Sequence, residues 1–174
     1  IQALQDQDVR RHVALVLGKI GSVDAVPALI QALQDQDVRR RVALALGEIG
    51  SVDAVPALIQ ALQDQDVRVR VSVVEGLEGI GKDAVPDLIQ ASKDNNEYIR
   101  GGAVEALKRI GIGAVSALIL ALQDENTDVR VRAAETLKRI GTGAVPALIQ
   151  ALQDKNTNVR VSVAFVLEKI GKDA

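Results

Sequence analysis

The 174-residue sequence contains no cysteine, no methionine and no tryptophan, and its only aromatic residues are Tyr98 and Phe165. Without cysteine there is no disulfide and no thiolate metal ligand. The single histidine, His12, cannot make a zinc site alone, because zinc takes several nitrogen or sulfur ligands. The carboxylates are scattered along the chain without a convergent pair, so general acid–base chemistry has no support. The reading is of a protein with no catalytic residues, no metal and no cofactor. No run of about 18 apolar residues occurs, so the chain reads as soluble and, by default, cytoplasmic. A net charge of −2 lacks the basic footprint typical of nucleic-acid binding.

What is abundant is small and aliphatic. Apolar residues make up 48 % of the chain while aromatics make up 1 %, so Ala, Val, Leu and Ile must do the packing. That suits closely spaced, regular helices.

These residues recur. "ALIQALQDQDVR" runs from Ala28 to Arg39 and again from Ala57 to Arg68. Ile1, Ile30, Ile59, Ile89, Ile119 and Ile149 mark one phase of a 29- or 30-residue period, and "IG" closes each copy. Such a period points to stacked repeats. Each copy predicts two helices. In helix A, Val55, Leu58, Ile59 and Leu62 form a stripe of helical spacing, with Asp53 as N-cap and Pro56 in the first turn, where a missing N–H costs little. In helix B, Val38, Val42, Ala45, Leu46 and Ile49 form the stripe, and Gly50 ends the helix in a left-handed conformation. Neither helix can bury its stripe alone, so the units must stack into an all-α solenoid. The expected repeats are residues 1–22, 23–51, 52–81, 82–111, 112–141 and 142–171, with 172–174 opening another. That gives twelve helical segments, the first truncated, and no sheet.

Units such as "VRRRVALALGEIGSVDAVPALIQALQD" and "VRVRAAETLKRIGTGAVPALIQALQD" resemble the short HEAT-like repeats named after phycobilisome lyases. They are also similar to artificial consensus arrays of that repeat. The period is shorter than the ~40–47 residues of long HEAT and armadillo units. The resemblance covers the whole chain and implies a right-handed α-α superhelix with helix B on the concave side. It implies an interaction scaffold rather than lyase activity.

Two sets of residues stand out. The first is a row of arginines, Arg10, Arg39, Arg70, Arg100, Arg130 and Arg160, matched by Asp6, Asp35, Asp64, Asp94, Asp124 and Asp154 at the end of helix A. Equal number and fixed phase suggest a structural ladder in which each Arg bonds carboxylates or link carbonyls of its own and neighbouring units. The second set is the other face of helix B, where residues change from copy to copy while core positions stay constant. It comprises Arg11, His12, Leu15, Lys19, Arg40, Arg41, Leu44, Glu48, Glu75, Glu105, Arg109, Arg132, Glu135, Arg139, Phe165 and Lys169. Tyr98 is added from just before helix B. Large apolar groups at Leu15, Leu44 and Phe165 mark this face for a protein or peptide partner. Glu105–Arg109 and Glu135–Arg139 are spaced as i, i+4 pairs, worth ~0.2–0.5 kcal/mol each. Gly101–Gly102 suggests a weak or bent start to helix B.

Other functions are weaker matches. Nucleic acid would use the same basic residues, but Glu48, Glu75, Glu105 and Glu135 interrupt them and there is no row of aromatics for stacking. A chromophore-lyase-associated subunit rests on the family name alone. An artificial scaffold without a natural ligand suits copies one and two, which differ only at His12/Arg41, Val16/Ala45 and Lys19/Glu48. Both ends fall inside a unit, as in a piece of a longer array. The last helix B should then expose Val163, Val166, Leu167 and Ile170, or a subset, for end-to-end self-association.

Overall fold

A computed structural model describes the backbone of residues 7–173 and the side chains of residues 12–172. Every regular element among them is helical. The B helices are α1 (Gln7–Ile20), α3 (Arg39–Ile49), α5 (Val67–Ile80), α7 (Glu97–Ile110), α9 (Thr127–Ile140) and α11 (Thr157–Asp173). Alternating with them are the A helices α2 (Val26–Ala32), α4 (Val55–Ala61), α6 (Val85–Ala91), α8 (Ile112–Ala121) and α10 (Val145–Ala151). The remaining expected A helix, near residue 1, falls outside the described residues.

The A helices start differently from the sequence reading. Asp53 is not an N-cap: it lies within a 3₁₀ turn, Val52–Ala54, and α4 begins at Val55. The same turn precedes α2, α6 and α10. Each of these helices has proline, Pro27, Pro56, Pro86 or Pro146, at its second residue. Proline has no N–H and its ring clashes with the preceding turn, so the α-helix cannot extend far back past it. Where Ser116 replaces proline, α8 extends back to Ile112 as one α-helix. One side chain thus sets where each A helix begins.

Gly50 ends α3 with φ 73° and ψ 16°, the left-handed cap expected from the sequence. Gly171 departs from that pattern. It is helical, and α11 runs on to Asp173 with no A helix among the described residues docking behind it.

The core is a row of leucines. Leu29, Leu58, Leu88, Leu118 and Leu148 of the A helices meet Leu46, Leu77, Leu107 and Leu137 of the B helices, all at most 1 % exposed. Each contributes about 1.5–3 kcal/mol through burial. The last B helix corrects one expectation in part. Val163, Val166 and Ile170 are buried; Leu167 is half-buried where Leu46, Leu77, Leu107 and Leu137 are at most 1 % exposed, and Val161, Ala164 and Phe165 are exposed. The buried part of its stripe packs on the A helix before it.

Candidate partner-binding face

The Asp–Arg pairs fix the links between helices A and B. The carboxylates of Asp35, Asp64, Asp94, Asp124 and Asp154 each accept from the amide two residues on, at 2.8–2.9 Å. In the longer links the arginine folds back on its own repeat. Arg70, Arg100, Arg130 and Arg160 each donate through Nη1 to the main-chain carbonyl of the Asp and of the next residue. Arg130 and Arg160 also donate to Thr127 and Thr157. The link preceding Arg39 is two residues shorter, and Arg39 reaches forward to Asp64 of the next repeat, Nε to Oδ2 at 3.1 Å. The guanidinium–carbonyl bonds therefore stay within repeats, and Arg39–Asp64 joins two of them. Asp6 and the side chain of Arg10 lie outside the described residues. Neighbouring links are also tied by Asn96 to Gln63 and Asn156 to Gln123.

The second face of helix B is solvated along the chain. His12, Leu15, Lys19, Arg40, Arg41, Glu48, Glu75, Arg109, Glu135, Arg139 and Phe165 are exposed; Leu44, Glu105, Arg132 and Lys169 are half-buried. The side chain of Arg11 is outside the described set. Tyr98 is placed differently from its expected position. It lies inside the first turn of α7, capped by Asn96, and the Arg70 guanidinium stacks 4.6 Å from its ring centroid. Gly101 and Gly102 do not interrupt α7, which is continuous through them. Gly102 makes room for Leu62, whose Cδ2 would be 2.5 Å from a Cβ at that position.

The structure groups only some of these residues. Arg109 gathers Glu75, Glu78 and Glu105 within 3.5–3.8 Å, joining α5 to α7. Glu135 meets Arg132 at 3.5 Å, three residues before it, where Arg139 was expected as partner. Open grooves run between adjacent B helices. One of about 300 Å³ between α5 and α7 contains Tyr98, Gly102, Glu105 and Arg109. Another of about 660 Å³ between α7 and α9 contains Arg132, Glu135 and Arg139. A third of about 650 Å³ between α9 and α11 contains Glu135, Phe165 and Lys169. Arg40 and Arg41 share a smaller hollow of about 290 Å³ with Asp37, Asp66 and Arg68 at the link end of α3 and α5.

Sequence reasoning missed two features. Val71, Val131 and Val161, at the register of Arg40, are 45–64 % exposed and add an apolar row to the face. The first three B helices also touch through glycine. A Cβ on Gly47 would lie 2.5 Å from the Gly76 Cα, one on Gly76 would lie 2.3 Å from the Ala43 carbonyl, and one on Gly79 would lie 2.8 Å from the Gly47 carbonyl. Gly18 meets Ala45 similarly, at 2.9 Å. Later copies carry Lys108, Lys138, Arg109, Arg139 and Lys169 at the Gly47 and Gly79 registers. The face is closed across α1, α3 and α5 and opens into grooves beyond them. Mid-helix glycines were the available signal, since glycine costs a helix about 1 kcal/mol unless close approach requires it.

Among the described residues no group of His, Asp or Glu could hold a metal ion, and no helix is long and apolar enough to cross a membrane.

Stacked two-helix units that present one grooved row of helices define an α-solenoid repeat protein. The chain belongs to the HEAT repeats family, which matches residues 1–77, 55–120 and 115–174. Among solved structures it is similar to the complex of CpcE and CpcF of phycocyanin lyase from Nostoc sp. PCC7120. That match has 28 % identity and a TM-score of 0.51, covering 98 % of this chain and 75 % of the other. An engineered protein is 20 % identical over 98 % of this chain and 94 % of its own, with TM-score 0.45. A designed armadillo repeat protein in complex with a (KR)4 peptide is 19 % identical over 97 % and 98 %, with TM-score 0.44. Comparison with curated proteins gives no match.

Proposed function

We propose that this protein is a non-enzymatic scaffold that holds a protein partner on the B-helix face, the concave side of the solenoid. The carrying observation is that this face combines open grooves, exposed apolar residues and side chains that differ between copies, on a frame of invariant buried leucines. Repeat arrays bind through such extended surfaces while the frame keeps the spacing. The similar CpcE–CpcF structure is itself an assembly of two proteins, which fits a partner of the same class. Arg41→Ala and Phe165→Ala should weaken capture of a partner recovered by pull-down. Gln60→Glu, on the exposed side of α4, should leave capture unchanged. The opposite pattern would move the binding surface to the A helices.

A second reading follows from the same 28 % identity: a subunit that assists a chromophore lyase. Bilin-dependent absorbance on mixing with a linear tetrapyrrole would favour it, and an unchanged spectrum would remove it.

A further inference from the structure

The B face is unequal along its length, and its open part has a definite chemistry. Between α9 and α11 the floor is apolar: Val131, Val161 and Phe165 are 48 %, 64 % and 53 % exposed. The rim is cationic, with Arg130, Lys138 and Lys169 against one carboxylate, Glu135. Lys169 Nζ lies 5.0 Å from the centroid of the Phe165 ring, so an ammonium borders the apolar seat. The adjoining groove across α9 adds Arg100, Arg132 and Arg139, with Glu97 as its further carboxylate. Together the two grooves hold six cations and two carboxylates, in a chain whose net charge is −2. Such a local excess favours a partner carrying negative charge.

We infer that these two grooves form the docking track for an extended peptide segment of a partner protein, in which a large apolar residue is flanked by carboxylates. The proposal rests on the B face being the partner surface and seats one segment of that partner on α7, α9 and α11. Helices pack about 8–10 Å apart, so a track across three of them is roughly 20 Å long. At ~3.4 Å per residue that seats about six extended residues. The anchor would sit against Phe165, with its neighbours within reach of Lys169 on one side and of Arg132 and Arg139 on the other. Single-stranded nucleic acid fits this track less well: it needs a row of rings for successive bases, and Phe165 is the only ring here, with Glu97 and Glu135 in the path.

The test uses the full chain and fluorescein-labelled synthetic octapeptides with Leu or Phe anchors flanked by Glu, Ser or Lys. A labelled single-stranded oligonucleotide is the competing probe. Fluorescence anisotropy should rank Glu above Ser above Lys flanks, with at least about tenfold from first to last and weakening with salt. Phe165→Ala should cost about tenfold or more, as for an interface anchor. Lys169→Glu should shrink the flank preference at least about threefold, and Gln60→Glu, on an A helix, should change nothing, all with unaltered circular dichroism. The inference is overturned if flank charge has no effect, if Lys169→Glu leaves the preference undiminished, or if the oligonucleotide binds more tightly. Absence of binding by every peptide up to about 1 mM also overturns it. Peptide binding lost on Leu44→Ala or Arg41→Ala but kept in Phe165→Ala would sink this groove and retain the B face. Loss only on Gln60→Glu would sink both.

Discussion

Gly47 and Gly76 meet backbone to backbone: a methyl group on Gly47 would lie 2.5 Å from the Gly76 Cα. This contact lets α3 and α5 approach closely and closes the first half of the B face. The atoms in the way are main chain, which cannot swing aside as a flexible side chain can. Gly76→Ala should therefore push the helices apart at an overpacking cost of about 1–3 kcal/mol, despite alanine's better helix propensity. Gly101→Ala is the control. Its Cβ would have nothing within 4 Å, and the substitution should stabilise by about 0.5–1 kcal/mol. Urea denaturation of the two variants checks the sign difference.

The link arginines predict a graded series. Arg130 donates to the carbonyls of Asp124 and Glu125 and to Thr127 Oγ1, all within 2.9 Å. Arg130→Ala removes three bonds at a partly solvated link, where water can replace some of them, and should cost about 1–2 kcal/mol. Arg130→Lys should recover only part, since an ammonium lacks the planar fork. Arg139→Ala, exposed on the B face, should stay within about 0.5 kcal/mol of the parent. Thermal melts of the three variants should follow that order.

The expectation of an Asp–Arg ladder reflects what a repeat pattern can and cannot reveal. The invariant phase of Arg39 and its equivalents pointed to bonds within the frame, and Arg70, Arg100, Arg130 and Arg160 make them to their own link carbonyls. The direction of each side chain depends on link length, which sets how far the guanidinium stands from its own carbonyls. The A/B helix pairs and the buried leucines were legible for a similar reason, because every copy repeats the same apolar spacing. The 3₁₀ turns depend on single prolines. The opening of the B face depends on which copies carry glycine and which carry lysine or arginine, a contrast visible only once the helices are side by side. Tyr98 was expected just before helix B and is instead the second residue of α7, because Asn96 caps that helix.

Arg39 and Asp64 should prove energetically coupled. Their side chains are 22 % and 12 % exposed, and the buried Arg39 Nε approaches the carboxylate without a well-formed hydrogen bond. The contact is thus an ion pair between repeats. Asp64→Asn keeps an oxygen for the Asp66 amide, which Asp64 Oδ1 now accepts at 2.8 Å, and removes only the charge. A double-mutant cycle with Arg39→Ala should give a coupling of about 0.5–1 kcal/mol that shrinks in high salt. A coupling of zero at low salt would make Arg39 a packing residue.

Leu62 and Gly102 suggest a rule of size matching between neighbouring repeats. Leu62 is fully buried, and a Cβ at position 102 would lie 2.5 Å from its Cδ2. One repeat later the same registers hold Ser92, 1 % exposed, and the half-buried Arg132. Large is paired with small, then small with large. Gly102→Arg alone should therefore overpack against Leu62 and cost about 1–3 kcal/mol. Leu62→Ser alone removes buried apolar atoms and should cost at least ~2 kcal/mol. Combined, the two reproduce the Ser92–Arg132 arrangement. The new serine can donate to the Ile59 carbonyl as Ser92 donates to that of Ile89, at 2.7 Å. The arginine stem can then lie where the leucine stood. The double variant should be at least ~1 kcal/mol more stable than the sum of the single changes implies. Additivity within ~0.5 kcal/mol, measured by denaturant titration, would show that the two positions do not sense each other and that the pairing is coincidental.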